Sequence, residues 1–129
     1  MPTIIDMPAP KVFDEEGFLV RLQGNKKLAD RVLTLYLKNS ENLIKQALDV
    51  IEKKYWKEVS ETAHALKGSS LNVGAQRVAK AAYNLEVQAK TFEASLPKMT
   101  ELFEHCRREL SEACDSILER LKREEDHVH

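Results

Sequence analysis

Glu61-Thr62-Ala63-His64-Ala65-Leu66-Lys67-Gly68-Ser69-Ser70-Leu71-Asn72-Val73-Gly74-Ala75 is the stretch whose reading decides the fold. Its apolar spacing is helical. At about 100° per residue, Tyr55, Val59, Ala63, Leu66, Ser70 and Val73 fall within about 80° of one another. That predicts one helix with this set as its buried stripe. His64 then lies roughly 160° from the stripe's centre, facing water, with Lys57, Ser60, Lys67, Gly68 and Leu71 around it. Gly74 supplies a left-handed residue to end the helix. Gly68 has no packing reason on an exposed face and costs about 1 kcal/mol relative to Ala. A reactive ring far from the core, beside bare backbone, is within reach of something large.

Outward from this helix the chain keeps the same character. Residues 1–12 hold Pro2, Pro8 and Pro10 and read as an extended tail or linker. Asp14 caps a short first helix carrying Phe18, Leu19 and Leu22, which Gly24 stops. Asn25 caps a long second helix over 26–52, with Leu28, Val32, Leu35, Tyr36, Leu43, Ala47, Val50 and Ile51 as its apolar set. The break at 53–56 has no Gly or Pro. It is placed there because a helix from 26 to 73 is too long for a compact domain, and Trp56 is expected to anchor the next helix start in the core. A fourth helix over 76–92 has Val78, Ala81, Ala82, Leu85, Ala89 and Phe92 as its core stripe, edged by Ala79, Tyr83, Glu86 and Lys90. Ser95 caps the last helix, Pro97 fits its first turn, and Met99, Phe103, Cys106, Leu110, Ala113, Ile117 and Leu121 recur as in a bundle helix. The expected fold is all-α: an antiparallel up-and-down four-helix bundle with an additional short N-terminal helix. The bundle domain is expected over 13–122, with 123–129 a frayed tail.

Composition excludes several classes. In 129 residues the chain is 43% hydrophobic and 32% charged with only four Gly and four Pro, which favours one helical domain. A net charge of −1 with the two signs interleaved gives no case for nucleic acid or anionic lipid. No apolar run is long enough for membrane insertion, and Met1–Asp6 does not read as a signal peptide. Cys106 and Cys114, about 12 Å apart along one helix, cannot pair within it. Two unpaired thiols fit a reducing, cytoplasmic setting.

The chemical candidate is His64. Neutral imidazole attacks phosphorus readily, and the phosphoramidate it forms keeps a high transfer potential. Lys67 lies on the neighbouring surface. It favours the neutral ring and would then attract phosphoryl oxygens. An ordinary surface histidine beside an ordinary surface lysine is the competing reading, and Gly68 weighs against it. Glu61-x-x-His64 and Glu124-x-x-His127 match the ligand pairs of di-iron bundles, but those must point inward, and His64 points out. His105 and the Arg107-Arg108 and Lys122-Arg123 pairs read as solvated flanks. No nucleotide-binding loop or Ser-His-Asp order is present, so the chain has no ATP site of its own.

His64-Ala65-Leu66-Lys67-Gly68-Ser69-Ser70 followed by Val73-Gly74-Ala75 closely resembles the signature of histidine-containing phosphotransfer domains of multistep phosphorelays. The likeness extends to Phe13-Asp14, the Leu-rich second helix and Leu85-Glu86, over roughly residues 13–120. It implies that His64 is the phospho-acceptor, Lys67 its positive neighbour and Gly68 the clearance position for a response-regulator receiver domain. Ser69 and Ser70 match the motif's small packing residues, and Gly74 its helix terminator. Glu86 falls where the family places a partner for the inner ring nitrogen, often Gln. A carboxylate there would hold the inner N–H and leave the outer nitrogen free. It would also favour the charged ring, against Lys67, and the balance stays open. The implied docking patch comprises Leu71, Ala75 and Leu19 or Leu22, with Lys90 adding charge.

The resemblance implies a monomeric carrier rather than an enzyme. It takes a phosphoryl group from one receiver-domain aspartate and passes it to another, with Mg²⁺ supplied by the receiver and no cofactor of its own. A hybrid sensor histidine kinase is a further implied partner. Two other classes stay open on the sequence: an interaction module that docks a receiver without turnover at His64, and a ferritin-like metal protein needing inward carboxylates on the second and fifth helices.

Overall fold

The structure is a computed structural model that describes residues 9–128, with side chains as far as Arg123. Five helices follow in order: α1 (Glu15–Arg21), α2 (Lys26–Glu52), α3 (Trp56–Val73), α4 (Gln76–Ala89) and α5 (Leu96–Val128). No strand occurs among the described residues. Each of the four long helices packs on the next, and α5 closes back on α2. Short connections make successive helices antiparallel, so the result is an up-and-down four-helix bundle. The short α1 lies across the end of α2 and α3.

The helix ends follow local chemistry. The Asp14 side chain accepts from Gly17 N, and Asn25 Oδ1 accepts from Leu28 N at 3.0 Å. Gly74 closes α3 in the left-handed conformation at φ 86°. The quiet break between α2 and α3 is made by Lys54, held at φ 60° while Tyr55 N donates to Val50 O. A non-glycine residue in that region costs about 1–2 kcal/mol, and because Lys rather than Gly bears that conformation the sequence does not announce the turn.

Packing corrects several sequence assignments. The buried face of α2 is Ala29, Leu33, Tyr36, Ser40, Ala47 and Ile51. Leu28 and Leu35 face water instead, and Val32, Leu43 and Val50 are half-buried. Small residues are hidden where neighbouring helices approach most closely, which a stripe drawn through the largest aliphatics misses. Tyr55 is exposed because it precedes α3 as its N-cap, outside the helical phase. For the same reason Phe92, beyond the end of α4 at Ala89, stands fully in solvent. Ser60, expected on the water side, is buried. Trp56 is half-buried against the second core cluster.

Two apolar clusters fill the bundle. One joins Phe18, Leu33, Tyr36, Leu66, Val73, Val78, Leu110 and Ile117; the other joins Ile51, Val59, Leu85, Met99 and Phe103. Ser70 is buried in the first, its Oγ 2.7 Å from Tyr36 OH. The end of the bundle at the α3–α4 turn is fastened from outside. Asp14 N donates to Gly74 O at 2.8 Å, and Arg21 Nη2 donates to Asn72 O at 3.1 Å. Lys11 brackets the start of α4, its N–H donating to Gln76 Oε1 and its C=O accepting from Arg77 N. Residues 1–8 of the expected tail lie outside the described residues, as does His129. The helix α5 continues through Val128, past residue 122 where the bundle domain was expected to end.

Candidate functional site

His64 stands on the outer face of α3, its side chain 66% exposed. The ring is held from one side only. Its Nδ1 lies 3.0 Å from Glu86 Oε2, on α4. Helix α4 packs closely against α3, and Ala79, Ala82 and Glu86 are all buried on it, which brings a side chain of position 86 within reach of the ring. Glu86 is almost fully buried, yet three donors converge on it. Lys67 Nζ lies 3.1 Å from Oε1, as an ion pair poorly aligned for a hydrogen bond. Lys90 Nζ donates to Oε2 at 3.3 Å, alongside His64. Burial pushes the Glu86 carboxyl up, but Lys67, Lys90 and His64 outweigh it and hold the group below the usual glutamate range.

An ionised carboxylate has no proton to give. The hydrogen bond to His64 therefore uses an Nδ1–H donor, which fixes the neutral ring in the Nδ1–H tautomer. The other nitrogen, Nε2, keeps its lone pair and has no hydrogen-bond partner among the described residues. Lys67 is more withdrawn than its place beside His64 suggests. Its side chain is only 18% exposed, and Nζ lies 5.4 Å from the centre of the Tyr83 ring. Lys90, 62% exposed, is the freer cation.

The remaining motif residues divide by role. A Cβ added at Gly68 would meet nothing within 4 Å, so the surface next to His64 is open. Ser69 turns its hydroxyl back to Leu66 O at 3.2 Å. Ser70 serves the core through Tyr36. A Cβ on Gly74 would lie 2.8 Å from Asp14 O, so this glycine both ends α3 and lets α1 dock. Leu71, Leu19 and Leu22 are half-buried. Ala75 is corrected: it is completely buried, because it forms the tight turn into α4 with its N–H on Ser70 O, and it offers no surface to a partner.

The residue reading missed a groove between α3 and α4. It has a volume of about 700 Å³ and is lined by Trp56, Lys57, Ser60, Glu61, His64, Glu86, Ala89 and Lys90. The i, i+4, i+8 series Trp56, Ser60, His64 was the available signal, since such residues share one helix edge. Among the described residues no cluster of three or more His, Cys, Asp or Glu is placed to hold a metal ion, and no helix is long and apolar enough to cross a membrane. His127 of the second Glu-x-x-His pair has no described side chain.

The family model described as "Hpt domain" matches residues 31–124. No curated protein and no solved structure matches the chain.

Proposed function

The chain belongs to the Hpt domain family, whose members are phosphotransfer carriers of phosphorelays rather than kinases, and from that premise we propose that His64 is the residue that carries the phosphoryl group. The observation that supports this most directly is the His64–Glu86 pair. It orients the ring by Nδ1 and, in the neutral ring, leaves the Nε2 lone pair free on an exposed side chain, as a nucleophile toward phosphorus requires. In this reading a receiver-domain aspartyl phosphate approaches over Gly68. The Nε2 lone pair attacks phosphorus in line, the P–O bond to the aspartate breaks, and the carboxylate leaves with the electron pair. A second receiver aspartate later takes the group by the reverse step. Such transfer is governed by positioning and charge more than by covalent chemistry on the carrier. Lys67 and Lys90 supply positive charge nearby, while Mg²⁺ comes with the receiver.

The docking surface in this proposal centres on Gly68 and Leu71, with Lys90 at one edge and Leu19 of α1, or Leu22 just past its end, at the other. Its small apolar area within a polar rim suits a transient contact. The test is a transfer assay from a phosphorylated receiver domain, scored as acid-labile, base-stable phosphate on the chain. Wild type is expected to label and His64→Gln not to. Equal labelling of His64→Gln would overturn the assignment.

A further inference from the structure

Away from His64, on the α4–α5 face, lies a polar pocket of about 330 Å³. Its walls include Arg77, Lys80 and Asn84 of α4, His105 and Glu109 of α5, and Pro10. We propose that residues 1–8 of this chain dock there as a strap, with the Asp6 carboxylate on Lys80. The proposal is independent of the role given to His64.

The chain is delivered to this pocket. Lys11 is pinned to the start of α4, its N–H donating to Gln76 Oε1 at 2.9 Å and its C=O accepting from Arg77 N at 3.1 Å. Pro10 therefore forms part of the pocket wall, and the residues before it start from the rim. The distances match. Lys80 lies one helical turn beyond Arg77, about 5 Å along the axis, and Asn84 about 10 Å beyond it. Asp6 precedes Pro10 by four residues, and an extended chain of that length spans up to about 14 Å. The bend at Ala9, at φ 46°, shortens that span, yet Lys80 stays within it. Pro8 and Pro10 favour extended backbone, so docking such a segment costs less conformational freedom than docking a flexible one.

Charge selects the same partner. The pocket sets two permanent cations, Arg77 and Lys80, against one carboxylate, Glu109. Arg77 is already engaged. Its Nη2 donates to Glu109 Oε1 at 2.9 Å, and its Nη1 lies 3.6 Å from Glu112 Oε2. The Lys80 ammonium and the Asn84 amide, by contrast, meet no hydrogen-bond or ion-pair partner among the described residues. His105 stands at the rim, half in solvent, with Nε2 3.9 Å from Glu109 Oε1. An uncompensated ammonium with an amide and an imidazole beside it suits a carboxylate, which accepts from all three. Asp6 is the only charged side chain in residues 1–8. Lys80 and Asn84 are exposed, so the contact is sensitive to salt. A strap in this place covers the α4–α5 face and leaves the α3–α4 groove open, so a partner reaches His64 with the strap docked.

The experiment places a nitroxide on the full chain at Thr3→Cys, with Cys114→Ser leaving only the buried Cys106 as a second thiol. Nitrogen-15 amide spectra are compared before and after the label is reduced. Amides of residues 80–84 and 105–109 are expected to lose intensity while the label is active, and those of α2 to keep it. Lys80→Glu, on the exposed surface, is expected to restore the signals. Asp6→Lys added to Lys80→Glu is expected to bring the loss back, because the swapped charges attract again. Undisturbed signals, broadening spread evenly over the molecule, or a loss that survives Lys80→Glu would overturn the proposal. A further sample mixes nitroxide-bearing chain without nitrogen-15 and nitrogen-15 chain without nitroxide. The same loss there would assign the pocket to a second copy and overturn the strap as well.

Discussion

Gly68 and Gly74 sit six residues apart and illustrate opposite uses of a missing side chain. Nothing lies within 4 Å of a Cβ at Gly68. Its helix would be stabler with almost any other residue, and a side chain there meets nothing, so Gly68→Gln should unfold no earlier than wild type. It should nevertheless slow transfer from a receiver, and unchanged transfer would end the clearance argument. Gly74 is required by the fold. Its φ is 86°, and a Cβ would press on the backbone of Asp14. Gly74→Ala should lose about 1–3 kcal/mol in a denaturant titration. The thiols differ in the same local way. Burial pushes Cys106 up to about 12, while Cys114 is only partly buried. An alkylating reagent should modify Cys114 in the folded protein well before Cys106.

Between helices, Glu86 is the charged link from α4 to α3 on the site face. Its folded carboxyl titrates below the ordinary glutamate value, so folding is favoured with the group ionised. The contribution is fully present above the unfolded value of 4.5 and is lost as pH falls through the lower folded one. Thermal midpoints measured across the acid range should therefore fall more steeply in wild type than in Glu86→Gln. A matching slope would mean that Lys67 and Lys90 hold the carboxylate too weakly to matter. On the opposite side of α4, Arg77 Nη2 donates to Glu109 Oε1 at 2.9 Å and secures α4 to α5, away from the reactive ring. The bundle can thus hold α4 in place from α5 while its other edge serves His64.

Across the molecule, Arg120 ties three helices together. It is 1% exposed, with Nε 3.3 Å from Glu15 Oε2 and Nη1 paired with Asp30. The contact joins α5 to α1 and α2 at the end of the bundle where α1 packs. Removing a buried, paired guanidinium is costly, so Arg120→Ala should lower stability by about 3 kcal/mol, read from denaturant unfolding. The sequence offered no sign of this. Arg120 sits in a run of charged residues, and the approach of Glu15 and Asp30, distant in the chain, helps to make its burial tolerable.

The sequence alone determined that the chain is helical, where α2 and α5 begin, and that His64 faces outward, because helical periodicity and capping act over a few residues. The buried residues of α3 from Val59 to Val73, Ser60 excepted, were legible for the same reason. The tertiary structure alone decided the rest. It chose which face of α2 is hidden, and it buried Ala75 and Arg120. It also brought Glu86 to 3.0 Å from the His64 ring and drew Lys67 and Lys90 onto the same carboxylate. Those outcomes depend on how closely two helices pack and on which charges meet across them, and neither quantity is carried by the spacing of residues along one helix.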